Sequence, residues 1–265
     1  MKKTLLITAF LACATLPALP ALPLTESIFT EIIREANVVA AANKSVAPAR
    51  TNEVFKVPDL VRTGTDSRVE MTAPDQTITR IGANTVFTFE PGGRDILLQR
   101  GSVLFHSPAG GGGGSIKYHG TAAAVLGTTQ IGAVLPDGAF KVLDLEGKVK
   151  VTLKNQLFVE LNPGQMVIVS PDGTEFSLVM NFNLGKLVSR LQLVNGFSNP
   201  LSSLPQIEAA IQNQNQQIAA GTLDNLVTLP QAGFGLDLVP GTDTPPWNLP
   251  TQPQIYISPT AGAPH

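Results

Sequence analysis

Apolar residues along this chain arrive in short bursts, and turn-forming residues separate the bursts at fairly regular intervals. Across the body, roughly residues 29–176, the reversals are Pro74-Asp75, Gly82-Ala83-Asn84, Pro91-Gly92-Gly93, Arg100-Gly101, Pro136-Asp137-Gly138, Glu146-Gly147, Lys154-Asn155, Asn162-Pro163-Gly164 and Pro171-Asp172-Gly173. Each supplies a residue tolerant of positive φ or one preset for a turn. The intervening runs alternate or are β-branched, most clearly at 78–81, 85–89, 103–105, 140–145, 149–153, 157–161 and 166–169. A helix needs a longer periodic stretch between breakers than this body leaves, so the pattern predicts a mainly β chain of many short strands, a compact sandwich, roll or short solenoid.

The flanks read differently. Residues 26–42 place Ile28, Phe29, Ile32, Ile33, Ala36 and Val39 at helical spacing, yet no C-cap follows, and part of the segment is read as strand. Beyond Phe176, residues 183–194 align Leu184, Leu187, Val188, Leu191 and Val194 on one helical face closed by Asn195-Gly196. Ser203-Leu204-Pro205-Gln206 has the form of a capping box opening a second helix to about Ala220, with Gly221 as its stop and the 212–217 amide run as a solvated face. The two helices are expected to pack an aliphatic face on the sheet body or on a partner. From 230 onward the chain is dense in proline and lacks Lys and Arg, as an extended or disordered tail would. The expected division is a leader at 1–21, a β domain at 22–180, a helical extension at 181–221 and a tail at 222–265.

The first residues change where the protein is placed. Lys2 and Lys3 precede a short apolar stretch at 5–12, and Ala12-Cys13-Ala14 is an A-x-A site, with weaker ones following. Pro17, Pro20 and Pro23 break the apolar run too early for a spanning helix. The chain is therefore expected to be exported, periplasmic or extracellular, with no transmembrane span in the mature form. Cys13 is the sole cysteine, so cleavage beyond it removes thiol and disulfide chemistry together; lipidation at Cys13 is the less favoured alternative. Loss of Lys2 and Lys3 takes the net charge from −2 to −4, a poor match to nucleic acid. Aromatic residues make up 6% of the chain, which points to a mostly aliphatic core.

Candidate chemistry is thin. Ser102 and His106 lie four apart on an expected strand, roughly 13 Å between Cα atoms, too far for a nucleophile–base pair. His106 and His119 flank the glycine run at 110–114, but no thiol or carboxylate cluster joins them, so both are expected at the surface, and no metal or cofactor is assigned. The run lacks the Gly-Lys-Ser/Thr ending of a phosphate loop, and it reads as a flexible surface connection. Asp66, Glu70, Glu90, Asp95, Asp144, Glu146 and Glu160 are scattered; only Glu90 and Asp95 stand across a turn, as ordinary solvated acids. Trp247 and Tyr256 fall in the tail and Tyr118 stands apart, so no aromatic platform for sugar or single-stranded nucleic acid is expected.

From Val61-Arg62-Thr63-Gly64-Thr65-Asp66-Ser67-Arg68-Val69-Glu70 onward the chain resembles the FecR domain, the extracytoplasmic module of bacterial cell-surface signalling regulators. The likeness continues through Arg80-Ile81-Gly82-Ala83-Asn84-Thr85, Leu98-Gln99-Arg100-Gly101-Ser102-Val103, Val125-Leu126-Gly127-Thr128, Val142-Leu143-Asp144-Leu145-Glu146-Gly147-Lys148-Val149 and Leu161-Asn162-Pro163-Gly164-Gln165, spanning 61–173. Most of these residues are turn glycines and their neighbours, so the motif marks architecture before it marks a site. Such regulators carry a cytoplasmic sigma-factor-binding segment and a spanning helix ahead of the domain, whereas this chain is read as having only a leader there. The resemblance implies a β-rich envelope module that contacts another protein or a cell-wall or surface ligand. The expected function is therefore a non-enzymatic binding module, with a link to surface signalling implied by the resemblance and no catalytic residue assigned. A structural matrix component is the first alternative and a carboxylate-based hydrolase the second.

Overall fold

The computed structural model describes residues 23–125, 127–223 and 226; the leader and nearly all of the tail, with Cys13, Trp247, Tyr256 and His265, lie outside them. After a 3-10 turn at Leu24–Glu26, the chain forms β1 (Ile28–Ile33), β2 (Ala36–Val39), β3 (Val46–Pro48), β4 (Leu60–Thr63), β5 (Arg68–Thr72), β6 (Ile78–Ile81), β7 (Val86–Phe89), β8 (Asp95–Arg100) and β9 (Ser102–His106). It continues through β10 (Gly114–Tyr118), β11 (Thr121–Val125), β12 (Thr129–Val134), β13 (Phe140–Glu146), β14 (Val149–Thr152), β15 (Phe158–Leu161), β16 (Gln165–Val169) and β17 (Met180–Asn181). Three helices close it, α1 (Leu184–Val188), α2 (Gln192–Asn195) and α3 (Leu204–Ala219). The mainly β reading holds, and the ambiguous 26–42 segment is strand.

These strands build two packed sheets. The 8-stranded sheet runs β1-β5-β6-β9-β12-β13-β16-β17, and the 9-stranded sheet runs β15-β14-β11-β10-β8-β7-β4-β2-β3. Hairpins make most of the pairs antiparallel; β8 and β10 run parallel because β9 crosses to the other sheet between them. Between the sheets lies the main core, where Val69, Ile81, Phe105, Phe140 and Val142 meet Phe87, Ile96, Ile116, Ala123 and Val151. Most of its positions are aliphatic, as composition suggested. The expectation missed one concentration of aromatic rings: Phe29, Phe55, Phe87 and Phe89 pack edge-on and stacked at centroid distances of 5.5–6.4 Å.

Glycine is required where the sheets come close. Gly101 turns β8 into β9 at φ +84°, and a Cβ there would sit 2.5 Å from the Thr85 Cα. The glycine run is also more than a flexible connection. Its last member, Gly114, opens β10 at φ +147°, where a Cβ would lie 2.5 Å from the Arg94 carbonyl and 2.7 Å from the Phe105 ring. Arg94 Nε donates to the Gly113 carbonyl at 2.7 Å, pinning the end of the loop.

The outer face of the 8-stranded sheet is covered by the C-terminal segment. Leu104, Ile131, Leu143, Leu145 and Met166 point away from the main core and pack under Leu184, Val188, Leu193, Val194 and Ile207. Helical packing on the sheet was expected, but the continuous helix over 183–194 is not formed. The chain turns at Ser189-Arg190, and Leu191 is extended (φ −81°, ψ 110°) before α2 starts again. That break lets Leu193 and Val194 descend onto the sheet, and Asn195 Nδ2 closes it by donating to the Val188 carbonyl at 2.5 Å. So three helices stand where two were expected.

The capping box is also absent. Ser203 is the N-cap of α3, yet its hydroxyl bonds to the sheet and not to the helix backbone. The amide run is not uniformly solvated either, because Gln214 is buried. It accepts from the Leu184 amide and donates to the Phe182 carbonyl, each at 2.8 Å, joining α3 to the start of α1. Gln214→Leu strands both backbone groups, and we expect a loss of about 2 kcal/mol in urea unfolding. Gln217→Leu, at an exposed position on the same helix, should change stability by less than ~0.5 kcal/mol.

Candidate functional site

Most of the described residues with chemical potential acquire a partner in the fold, and the partners decide what each can do. Ser102 and His106 lie on one strand, β9, both buried, opposite Ala133 and Thr129 of β12. His106 is not at the surface as expected. Its Nδ1 is 2.9 Å from Thr129 Oγ1, which lies 2.7 Å from both Glu146 Oε1 and Ser203 Oγ. Four polar side chains thus form one dry network beneath the start of α3. Thr129 stands between the serine and the imidazole, so Ser203 has no base against it, and at 1% exposure it meets no substrate. The network is a joint between helix and sheet.

His119 is exposed, as expected, and stacks on Tyr118 with centroids 4.1 Å apart. Among the described residues no three His, Cys, Asp or Glu side chains come together as a metal set. Glu90 and Asp95 do converge, but on a cation that the sequence reading missed. Lys117 of β10 reaches Asp95 at 2.5 Å and Glu90 at 3.2 Å, and Ser115 donates to Asp95 at 2.7 Å. Burial pushes the Asp95 carboxyl up; the hydrogen bonds from Lys117 and Ser115 outweigh it and hold the group below the usual carboxylate range. Lys117 is held above its ordinary value by Asp95, against burial. An acid kept ionised by an adjacent ammonium cannot act as the proton donor of a glycosidase pair.

The other acids follow the same rule. Asp66 pairs with Arg34 at 3.0 Å and Glu160 with Lys148 at 3.3 Å, both at the surface. Glu70 and Arg80 pair at 2.8 Å in the interior. Arg80 has no exposed surface, and its donors are distributed to the C-terminal segment. Nη1 donates to the carbonyls of Leu193 (3.2 Å) and Val194 (2.8 Å), and Nη2 to that of Asn199 (2.7 Å). The Phe197 ring lies 4.4 Å from the guanidinium carbon. Thr30 completes the Glu70 carboxylate at 2.8 Å. Around this centre, Arg68 Nε donates to the Gly196 carbonyl, and Ser198 donates through its amide and hydroxyl to Glu31. One buried guanidinium on β6 therefore latches residues 193–199 to the sheet, with geometry only the planar arginine fork provides.

Asp144 is the exception. It sits at 0% exposure on β13, on the inner face with Phe140 and Val142, and neither carboxyl oxygen has a partner at full hydrogen-bond geometry, the Glu146 backbone amide approaching without completing one. Burial pushes its pKa up to about 8; the charge of Glu146 adds to the shift, and the Glu146 amide opposes it. The flanking strands β12 and β16, and β11 in the facing sheet, carry no charged residue, and Lys141 alternates to the other face of β13.

Taken together, these polar groups link sheet to sheet and sheet to C-terminal segment. Arg80, Thr129 and Lys117 were the residues missed, and Glu70 and Asp144, read only as scattered acids, are buried in the fold. For two of them a signal was present: Arg80 in Thr-Ile-Thr-Arg-Ile and Asp144 in Val-Leu-Asp-Leu are single charges at inward or packed positions of apolar strands.

Residues 59–150 match the model of the family described as FecR protein. The matched stretch runs from β4 into β14 and includes Arg80, Glu70, His106, Thr129, Asp144 and Glu146, but ends before the segment Arg80 holds. No curated protein matches the chain. Among solved structures, the chain is similar to a 1.65 Å crystal structure from Parabacteroides distasonis ATCC 8503, provisionally described as an anti-sigma factor. The TM-score is 0.41 and the identity 18%, over 59% of this chain and 92% of that one. A second crystal structure, at 2.50 Å, of a protein from the same organism with the same description gives 0.40 and 17%, over 61% and 91%.

Proposed function

We propose, with the FecR match over 59–150 as premise, that this chain is an exported, non-catalytic binding module of the cell envelope that contacts another envelope protein or a cell-wall or surface ligand. The match carries the reading. It is supported by the way the chain uses its reactive groups: His106, Glu146, Ser203, Glu70 and Arg80 are committed to internal joints, and Glu90 and Asp95 are bridged by Lys117. A chain arranged in this way acts through its surface. The leader-like residues 1–21 support placement outside the cytoplasm, and no helix among the described residues is long and apolar enough to cross a membrane. A link to surface signalling follows from what the FecR family does.

Two measurements test this. Fractionation of cells producing the full chain with a C-terminal epitope should place the processed protein in the envelope or medium; an unprocessed cytoplasmic protein contradicts export. Affinity capture from cross-linked envelope fractions should then return the same partner, or the same wall fragment, in independent replicates. A capture that recovers nothing above the untagged control, from protein correctly exported and folded, removes the binding reading.

A further inference from the structure

Four residues leave buried side-chain oxygens without partners in one quarter of the sandwich: Ser107, Thr128, Gln130 and both oxygens of Asp144. None is more than 3% exposed. Chain geometry puts them on a common face. Gln130 and Asp144 are direct cross-strand partners in β12 and β13, where opposed Cβ atoms lie about 5 Å apart. Gln130 points toward the facing sheet, since its Nε2 donates to the Ala123 carbonyl of β11 at 2.7 Å, leaving Oε1 as the idle atom. Thr128 and Ser107 lie one residue beyond the ends of β12 and β9; the Ser107 amide donates to the Thr128 carbonyl at 3.1 Å, which continues the pairing by one step, holds the two side by side and extends to them the alternation that turns Gln130 and Phe105 inward.

The chemistry of this set is one-sided. Every idle atom is oxygen, none is an N–H donor, and the one ionisable group is a carboxyl, which a bound cation would hold in its ionised form. Burying these oxygens without a partner costs stability, so a ligand that supplies one is favoured. We propose that Asp144, Gln130, Thr128 and Ser107 form a binding site for a hard cation of the calcium class. Such ions take six to eight oxygens from carboxylates, amide carbonyls and water, and a cation there supplies the counter-charge that β11, β12 and β16 lack. It would tie the two sheets through the Gln130 bridge.

The test is thermal melting of the full chain at neutral pH in EDTA, then with millimolar CaCl2, with MgCl2 and KCl at matched ionic strength as controls. Calcium should raise the wild-type Tm by about 5 °C or more, saturably. Asp144→Asn should abolish the shift, and Thr128→Val, which removes one oxygen at constant shape, should raise the calcium concentration needed by roughly 10-fold while leaving the Tm in EDTA close to wild type. An identical wild-type Tm in EDTA and calcium overturns the site, because water and a proton then satisfy these atoms. A calcium shift that persists in Asp144→Asn overturns it equally, because the ion then binds elsewhere.

Discussion

Arg80→Met should lower the unfolding free energy by about 3–5 kcal/mol and free the 193–199 segment for proteolysis. The expectation rests on the asymmetry of buried ion pairs: methionine fills much of the same volume, but Glu70 is left as an uncompensated buried carboxylate. The carbonyls of Leu193, Val194 and Asn199 lose their donors at the same time. Part of the loss is the charge left behind, which the double variant Arg80→Met/Glu70→Leu isolates. It should recover about 2 kcal/mol or more of the single-variant loss while the segment stays protease-sensitive. Urea denaturation of the three proteins, with limited proteolysis followed by mass spectrometry, reads both effects. If Arg80→Met loses under ~1 kcal/mol, or the segment resists cleavage, the latch does not hold it.

The second large effect is a dependence of stability on pH that originates at Asp144. Its pKa in the fold, pushed by burial to about 8, lies above the ordinary carboxylate value of the unfolded chain, so between these limits the folded protein holds a proton that the unfolded chain has released. Stability from this group is fully present below pH ~4 and falls as pH rises, levelling once pH exceeds the folded pKa. The full interval corresponds to at most ~6 kcal/mol. Measured in EDTA, Asp144→Asn, a close mimic of the protonated acid, should match wild type near pH ~3.5, exceed it by about 1–2 kcal/mol near pH 5 and by at least ~3 kcal/mol near pH 8.5, the last roughly 6–12 °C in Tm. Parallel melting curves for the two proteins across that range would mean that Asp144 is ionised in the fold or reaches solvent. Asp95 has the opposite sign: its depressed pKa contributes stability above the ordinary carboxylate value that is lost as pH falls through the folded one.

The strands were legible because their ends are written in turn residues, and a turn needs only local backbone chemistry. Predicted runs such as 78–81, 140–145 and 166–169 match β6, β13 and β16 nearly residue for residue. The C-terminal segment was less legible because distant residues decide its local conformation. Residues 183–194 keep helical spacing throughout, yet the helix breaks at Ser189-Arg190 so that Leu193 and Val194 can present their carbonyls to Arg80, more than a hundred residues earlier. Ser203 reads as a cap and Gln214 as a solvated amide because their true partners, Thr129 and the Phe182–Leu184 backbone, are brought close only by sheet packing. The Glu90–Asp95 pair was visible across its turn, but Lys117 reaches it through the parallel β8–β10 pairing, which no local pattern encodes.

The central structural claim is that the FecR-matched strands and the C-terminal segment form one unit, with Arg80 as the latch. Hydrogen–deuterium exchange on the intact wild-type chain tests this most directly. Amides of α3 and of residues 193–196 should be protected on the timescale of β9 and β12, and the protection of both should fall together as denaturant is added. Exchange of the whole segment within seconds, while the two sheets remain closed for hours, would contradict the claim.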